Sequence, residues 1–266
     1  MATIRYMDPA GNITAIVRKG AGDINRVRLS KQILKDEKAE QVGFETEPIR
    51  GGDCRLEMMG GEFCGNALRS YAYLVASEKY SGGRHAVKVE ISGVSEPVVA
   101  NVDLDAGLAF VQMPLPLGVD EVTVNGAKYP VIHMQGIDHL ILEGAKSDEE
   151  LAEEALKALG QWQPSACGIL FLNGDDLVPV VYVRSTESLV WESSCGSGSV
   201  ACAWYLAGCT HMLEQDGIYK LSFTQPGGEI QAGVMVKGGK VVQCMMGGGV
   251  KMGSEETILD DLIAEQ

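Results

Sequence analysis

Along most of the chain short apolar-rich runs, some alternating with polar residues and some continuous, stand between turn residues and predict strands. In the first half these runs fall at 4–6, 13–17, 42–44, 54–59, 85–92, 96–104 and 107–113. In the second half they fall at 120–124, 128–135, 138–143, 168–172, 178–184, 218–224, 229–236 and 240–246. Helical spacing interrupts them four times: at 29–38 behind Ser30 as a candidate cap, from about 65 to 79, across the acidic stretch 148–159, and from about 196 to 213. The tail 254–266 is acidic and amphipathic, and it reads as a short surface helix. Met113-Pro114-Leu115-Pro116-Leu117-Gly118 carries two prolines that break any regular element, so the boundary is placed there. Residues 1–115 then form one domain, onto which 251–266 packs back, and residues 116–250 form a second. Each half runs through strands, one apolar helix and more strands, which predicts α+β domains repeated in outline and not alternating βαβ units.

The second and fourth helices start in a special way. Trp191-Glu192-Ser193-Ser194-Cys195-Gly196-Ser197-Gly198-Ser199 runs into an apolar helix-forming stretch, and Gly60-Gly61-Glu62-Phe63-Cys64-Gly65-Asn66-Ala67 does the same in the first half. Aligning Cys64 with Cys195 also aligns Gly65 with Gly196, Ala72 with Ala203, Tyr73 with Trp204 and Ala76 with Ala207. Small residues at a helix N-terminus let a ligand reach unpaired backbone N–H groups, and the dipole favours an anion there. A thiol in that position is expected to have a lowered pKa.

Composition narrows the function classes. The 266 residues carry a formal net charge of −14, which argues against nucleic acid or an anionic membrane as a partner. The absence of an 18-residue apolar run argues against a spanning helix. The start Met-Ala-Thr-Ile-Arg-Tyr lacks the apolar core of an export signal. Seven cysteines, an odd number without metal-ligand spacing, fit a reducing cytoplasm better than a disulfide framework or a zinc site. The expected ligand is a small molecule, and a homodimer is left open.

Suppose the two helix ends face each other across the domain boundary. The backbone N–H groups of Gly65, Asn66, Gly196 and Ser197 would then clamp an α-carboxylate between them. One sulfur would lie on each face of the α-carbon. One thiolate could take the α-proton while the opposite thiol delivers another, inverting the centre without pyridoxal phosphate or a metal.

These residues resemble a known family. Cys64-Gly65-Asn66 with Cys195-Gly196-Ser197-Gly198 is similar to the paired motifs of the diaminopimelate epimerase superfamily of cofactor-independent amino-acid racemases. Asp8-Pro9-Ala10-Gly11-Asn12, Val42-Gly43-Phe44 and Gly136-Ile137-Asp138-His139 stand in order where that family has its Gly-Asn turn, its Val-Gly-Phe segment and its Gly-Asn-Pro-His motif. The resemblance implies two pseudo-symmetric domains, each a curved, mostly antiparallel sheet wrapped around a central helix. It implies Cys64 and Cys195 as the acid/base pair and a site in the interdomain cleft. It further implies His139 as a group that sets a thiol's protonation state and Asn12 as a substrate contact, although a turn asparagine and a structural histidine would also account for these two residues.

The departures concern the substrate. Ile137 stands where the family has a polar Asn, Cys167 replaces another, and Arg184 matches the family Arg with Val183 in place of its Glu partner. Glu192 or Glu187 could supply the missing carboxylate beside a thiol. Glu45 or Glu47 could meet an imidazole, while Arg69 reads equally as surface or functional. The strings around both cysteines look most like the histidine racemase branch, which implies conversion of L-histidine to D-histidine. The alternatives are diaminopimelate epimerase itself and a non-racemising isomerase or binding protein on the same fold. A cysteine hydrolase using Cys195 would leave the second thiol without a role.

Overall fold

The computed structural model describes residues 2–18, 25–162, 164–184 and 187–258. It divides into two compact units, one made of the residues up to Gln112 together with those from Gly247 onward, the other of Met113–Met246. Each is built mostly of strands with few helices, an α+β fold.

The first unit begins with β1 (Ala2–Asp8), β2 (Thr14–Val17), α1 (Arg26–Lys35), β3 (Gln41–Thr46) and β4 (Cys54–Met58). It continues through α2 (Gly65–Lys79), β5 (Arg84–Ile91), β6 (Val98–Asp103) and β7 (Leu108–Met113). Strand pairs β1–β2, β3–β4, β5–β6 and β6–β7 are antiparallel, whereas β2–β3 and β4–β5 are parallel and are connected through α1 and α2. Helix α2 packs on β1, β2, β4, β5 and β6. Ten of its residues, from Gly65 to Ala76, are buried, and they lie all round the helix. Helix α1 is amphipathic and buries only Leu29, Ser30 and Ile33, the two apolar residues joining a cluster with Ile4, Val17, Val42 and Phe44.

The second unit contains β8 (Gly118–Val124), β9 (Ala127–Met134), β10 (Ile137–Glu143), α3 (Glu149–Leu159), β11 (Ala166–Asn173), β12 (Asp176–Val183) and β13 (Ser188–Trp191). It ends with α4 (Gly196–Cys209), β14 (Gly217–Gln225), β15 (Gly228–Lys237) and β16 (Lys240–Gly249), whose last three residues already belong to the first unit and lead into its β17 (Lys251–Ile258). Strands β10 and β11 are parallel, while β8–β9, β9–β10, β11–β12, β12–β13 and β14–β15 are antiparallel. Helix α4 packs on β9, β10, β11 and β15. The amphipathic α3 packs on β8, β10 and β11 and closes a cluster of Leu140, Leu142, Cys167, Ile169 and Phe171.

Three expectations are corrected. Helix α1 starts one turn earlier than its apolar pattern, with Asn25 and not Ser30 as the cap: Asn25 accepts from the Arg28 N–H, while Ser30 is buried inside the helix. Helix α4 stops at Cys209, and a short 3₁₀ turn, His211–Glu214, follows it. The tail expected as a helix is strand β17 over Lys251–Ile258, antiparallel to β1, with Arg5 paired to Glu255 and Tyr6 donating to Glu256. The rest of that expected helix, 259–266, lies outside the described residues. Among the described residues no helix is long and apolar enough to cross a membrane.

Candidate active site

Both cysteines are helix N-caps with nearly the same backbone. Cys64 has φ −131° and ψ 114°, Cys195 φ −124° and ψ 110°, and each sulfur accepts from a backbone N–H three residues on. The Sγ distances to Ala67 N and to Gly198 N are both 3.4 Å. A side chain at Gly198 would crowd the sulfur, since an added Cβ would lie 2.8 Å from Leu170 and 3.2 Å from the Cys195 sulfur. Gly65, Gly196 and Asn66 are buried in the first turns behind the two thiols, and Ser197 is half-buried.

The lowered thiol pKa expected at a helix N-terminus does not occur. Burial pushes Cys64 up to about 11; the Ala67 and Asn66 N–H groups and the Gln41 side chain pull it down, and the Glu62 charge adds to the rise. Burial likewise pushes Cys195 up to about 12, with Glu192 raising it further and Ser197 and the Gly198 N–H lowering it. Desolvation of the thiolate outweighs the helix-end donors at both places.

Each cysteine turn is braced from a distant hairpin of its own unit. In the first unit Ser92 Oγ donates to Glu62 O at 2.8 Å and accepts from Met58 N at 2.8 Å. Gly93, at φ +80°, lies so close that a Cβ would sit 2.2 Å from Phe63 N. In the second unit the buried Gln225 accepts from Cys195 N at 2.8 Å and donates to Ser199 Oγ at 2.8 Å, and Ser199 Oγ donates to Cys195 O at 2.8 Å. Gly227 N donates to Ser193 O at 2.8 Å.

Behind Cys64 lies a polar network. Asn66 Nδ2 donates to Asn12 Oδ1 at 3.1 Å, Asn12 Nδ2 donates to Glu40 Oε2 at 2.7 Å, and Gln41 also donates to Asn12. Arg69, fully buried one turn further into α2, donates to Asn66 Oδ1 at 3.1 Å, Pro9 O at 2.8 Å and Gly249 O at 2.9 Å. Burial lowers its pKa to about 10. Arg69 is therefore an interior residue and not a surface one.

Behind Cys195 lies His139, fully buried on β10. Its Nε2 is 3.0 Å from Ser197 Oγ, which is 3.5 Å from the Cys195 sulfur. Burial drives the imidazole pKa down to about 3, so the ring is neutral. Its Nδ1 is buried without a partner over Gly168, where a Cβ would come within 2.1 Å. Glu192 also reaches Cys195, through its charge and a side-chain hydrogen bond.

The remaining candidates are dispersed. Ile137 is half-buried on β10, on the strand face of His139. Cys167 is buried in the α3 cluster, on the opposite strand face from Gly168 and His139. Arg184 is exposed on a turn, with Nε donating to Pro164 O at 3.0 Å. Glu187 is exposed at φ +51° in the turn before β13. Glu45 is held by Arg18 Nε at 2.8 Å and Tyr71 OH at 3.0 Å, and Glu47 is exposed just beyond β3. Gln41, Ser92, Gly93, Ser199 and Gln225 were not among the sequence candidates; Ser199 acts on Cys195 from one turn along α4, and the others act on their cysteines across a long stretch of chain. Among the described residues no group of three or more His, Cys, Asp and Glu side chains is placed to hold a metal.

Residues 4–258 match the sequence family described as the histidine racemase CntK N-terminal domain. A histidine racemase of Fusobacterium nucleatum subsp. nucleatum is 36% identical over 220 residues, covering 77% of this chain and 81% of its own. A histidine racemase of Staphylococcus aureus (strain Mu50) is 27% identical over 237 residues, covering 84% and 85%. Among solved structures, a hydroxyproline epimerase from Agrobacterium vitis with bound trans-4-hydroxy-L-proline superposes with a TM-score of 0.68 at 11% identity, covering 97% of this chain and 90% of that one. The last similarity is one of fold.

Proposed function

The chain belongs to the histidine racemase family, and we propose that it inverts the α-carbon of histidine by a two-base reaction of Cys64 and Cys195. The observation that carries the reading is the pair of cysteine N-caps with matching backbone angles and matching 3.4 Å sulfur contacts, each on an apolar helix with a small-residue first turn. A binding protein has no use for two such thiols, and a hydrolase needs one.

The reaction requires the two units to be pseudo-symmetric and to present their thiols to opposite faces of one α-carbon. The sulfur of one cysteine takes the α-proton as its S–H bond forms. The other cysteine gives up its proton to the opposite face and is left as thiolate. The electron pair released from the C–H bond moves into the α-carboxylate, which the N–H groups at Gly65, Asn66, Gly196 and Ser197 hold, and returns to the α-carbon to form the new C–H bond with the proton that the second cysteine delivers. Ser197, anchored by neutral His139, steadies the Cys195 thiolate by a hydrogen bond, and Glu192 keeps that thiol protonated until it is needed. Asn12 acts through Asn66, which it positions. Either Glu45 or Glu47 meets the imidazole of the substrate, and Ile137 supplies an apolar wall. Both thiols must stay reduced, which the cytoplasm provides.

Incubation with L-histidine in D₂O, without added cofactor, tests the reading. Appearance of D-histidine with deuterium at the α-carbon is expected. Recovery of undeuterated L-histidine would sink it.

A further inference from the structure

We propose that Arg69 is the positioning cation that makes Cys64, and not Cys195, the thiol that gives up its proton first, so that Cys64 enters the reaction as base and Cys195 as acid. This inference rests on the two-thiol reading above.

Arg69 is fully buried, and its three hydrogen-bond acceptors, Asn66 Oδ1, Pro9 O and Gly249 O, are all uncharged. Among the described residues no carboxylate lies within ion-pair distance of it. A buried guanidinium with only neutral partners is costly unless a negative charge forms nearby. Two acidic groups act on Arg69 through their charge, and the Cys64 thiol acts more strongly than Asp8. The guanidinium also fixes Asn66, whose backbone N–H points at the Cys64 sulfur. The other groups facing Cys64 are Glu62, which opposes ionisation, and Gln41, which favours it; Glu40 reaches the network only by accepting from Asn12.

The second unit lacks this device. In the alignment of the two helix starts Arg69 corresponds to Val200, a buried aliphatic residue. The strongest charge on Cys195 is the Glu192 carboxylate, which raises the thiol. One helix start therefore carries a buried cation tied to the residue that donates to its cysteine, and the other an anion that acts on its thiol. Starting from this distribution, the Cys64 thiolate gains the α-proton and Cys195 loses its own. Proton exchange with water, or turnover in the reverse direction, restores the starting state.

Alkylation by iodoacetamide, mapped per cysteine by mass spectrometry across a pH series, reads the two thiolates in the full chain. Arg69→Met is expected to lower the Cys64 rate relative to the Cys195 rate about tenfold, the equivalent of one pKa unit, and Arg69→Lys to restore most of it. An unchanged ratio in a folded Arg69→Met chain overturns the proposal, as does an equal fall at both cysteines. Should Arg69→Met fail to fold, ultraviolet thiolate absorbance decides. Cys195→Ser, which keeps Cys64, should titrate at lower pH than Cys64→Ser, and the reverse order overturns the assignment. A chain that shows the Arg69 effect on Cys64 but no α-hydrogen exchange on histidine would refute the racemase reading and leave the charge assignment standing.

Discussion

A thiol buried at a helix N-terminus is under two opposed influences, and at both cysteines of this chain burial wins. Cys64 is raised to about 11 and Cys195 to about 12 even though each sulfur accepts a backbone N–H. Both are therefore protonated in the free chain near neutral pH. The reaction needs one thiol and one thiolate, so kcat/KM should climb about tenfold per pH unit as the first thiol ionises on the alkaline side of neutrality. A profile that is flat between about pH 7 and pH 9 would mean that a thiolate exists before substrate arrives. Replacing either sulfur by a hydroxyl, in Cys64→Ser or Cys195→Ser, puts a far weaker acid at one face. Each variant should lose on the order of 1,000-fold in kcat while KM moves little, since the carboxylate donors belong to the backbone. Steady-state racemisation of both enantiomers checks this, and near-parental turnover by either variant excludes the two-base scheme. At this scale the cysteines were legible because the small residues beside them, Gly65, Gly196 and Gly198, sit next to them in sequence. Arg69 was ambiguous because nothing local says that a helix arginine points inward to Pro9 O and Gly249 O.

The elements that aim the thiols are a helix start and a hairpin far away in sequence, and only the first of these has a local signature. In the first unit the brace is the turn after β5, where Ser92 caps Glu62 O and Gly93 lies against the Phe63 backbone. Gly93→Ala would place a Cβ 2.2 Å from Phe63 N at a backbone with φ +80°. Since neither neighbour is a flexible side-chain tip, the chain must shift, at a cost of about 1–3 kcal/mol. The shift falls on the residues that set the Cys64 sulfur, so kcat should drop together with the melting temperature. A melting scan paired with racemase kinetics tests it: a variant that loses stability at full kcat would show that the turn does not position Cys64. The same local-versus-distant division explains which elements the pattern revealed. Most strands and the four helices were readable from local apolar patterning and the turn residues between them. Strand β17 was not, because its Arg5–Glu255 and Tyr6–Glu256 partners lie on β1, at the far end of the chain. Strand β13 was missed because Leu189, Val190 and Trp191 are exposed in succession and show no alternation.

For the molecule as a whole, the open question is which amino acid it serves, and this depends on how a buried distal group would be met. Diaminopimelate carries a second ammonium and carboxylate, and burying these without partners costs several kcal/mol. The positions at which the resemblance placed polar contacts do not offer them: Ile137 is aliphatic, and Cys167 packs into the α3 cluster. Arg184 lies exposed on a turn with its Nε given to Pro164 O. Imidazole is flat and partly apolar, and it asks for only one or two hydrogen bonds, which a single carboxylate can supply. Of the two candidates Glu45 is bound by Arg18 and Tyr71, so using it would mean sharing an ion pair. Replacing the carboxylate that meets the ring, by Glu45→Gln or Glu47→Gln, is expected to raise KM for histidine at equal stability, and steady-state kinetics of the two variants side by side identifies which one it is. Diaminopimelate should be epimerised at least about 100-fold less efficiently than histidine, because two missing contacts of about 1.5 kcal/mol each are enough for that ratio. Competition of the two substrates, with kcat/KM taken from each, measures it directly. Comparable turnover of diaminopimelate would overturn the histidine specificity, while leaving the cysteine chemistry in place.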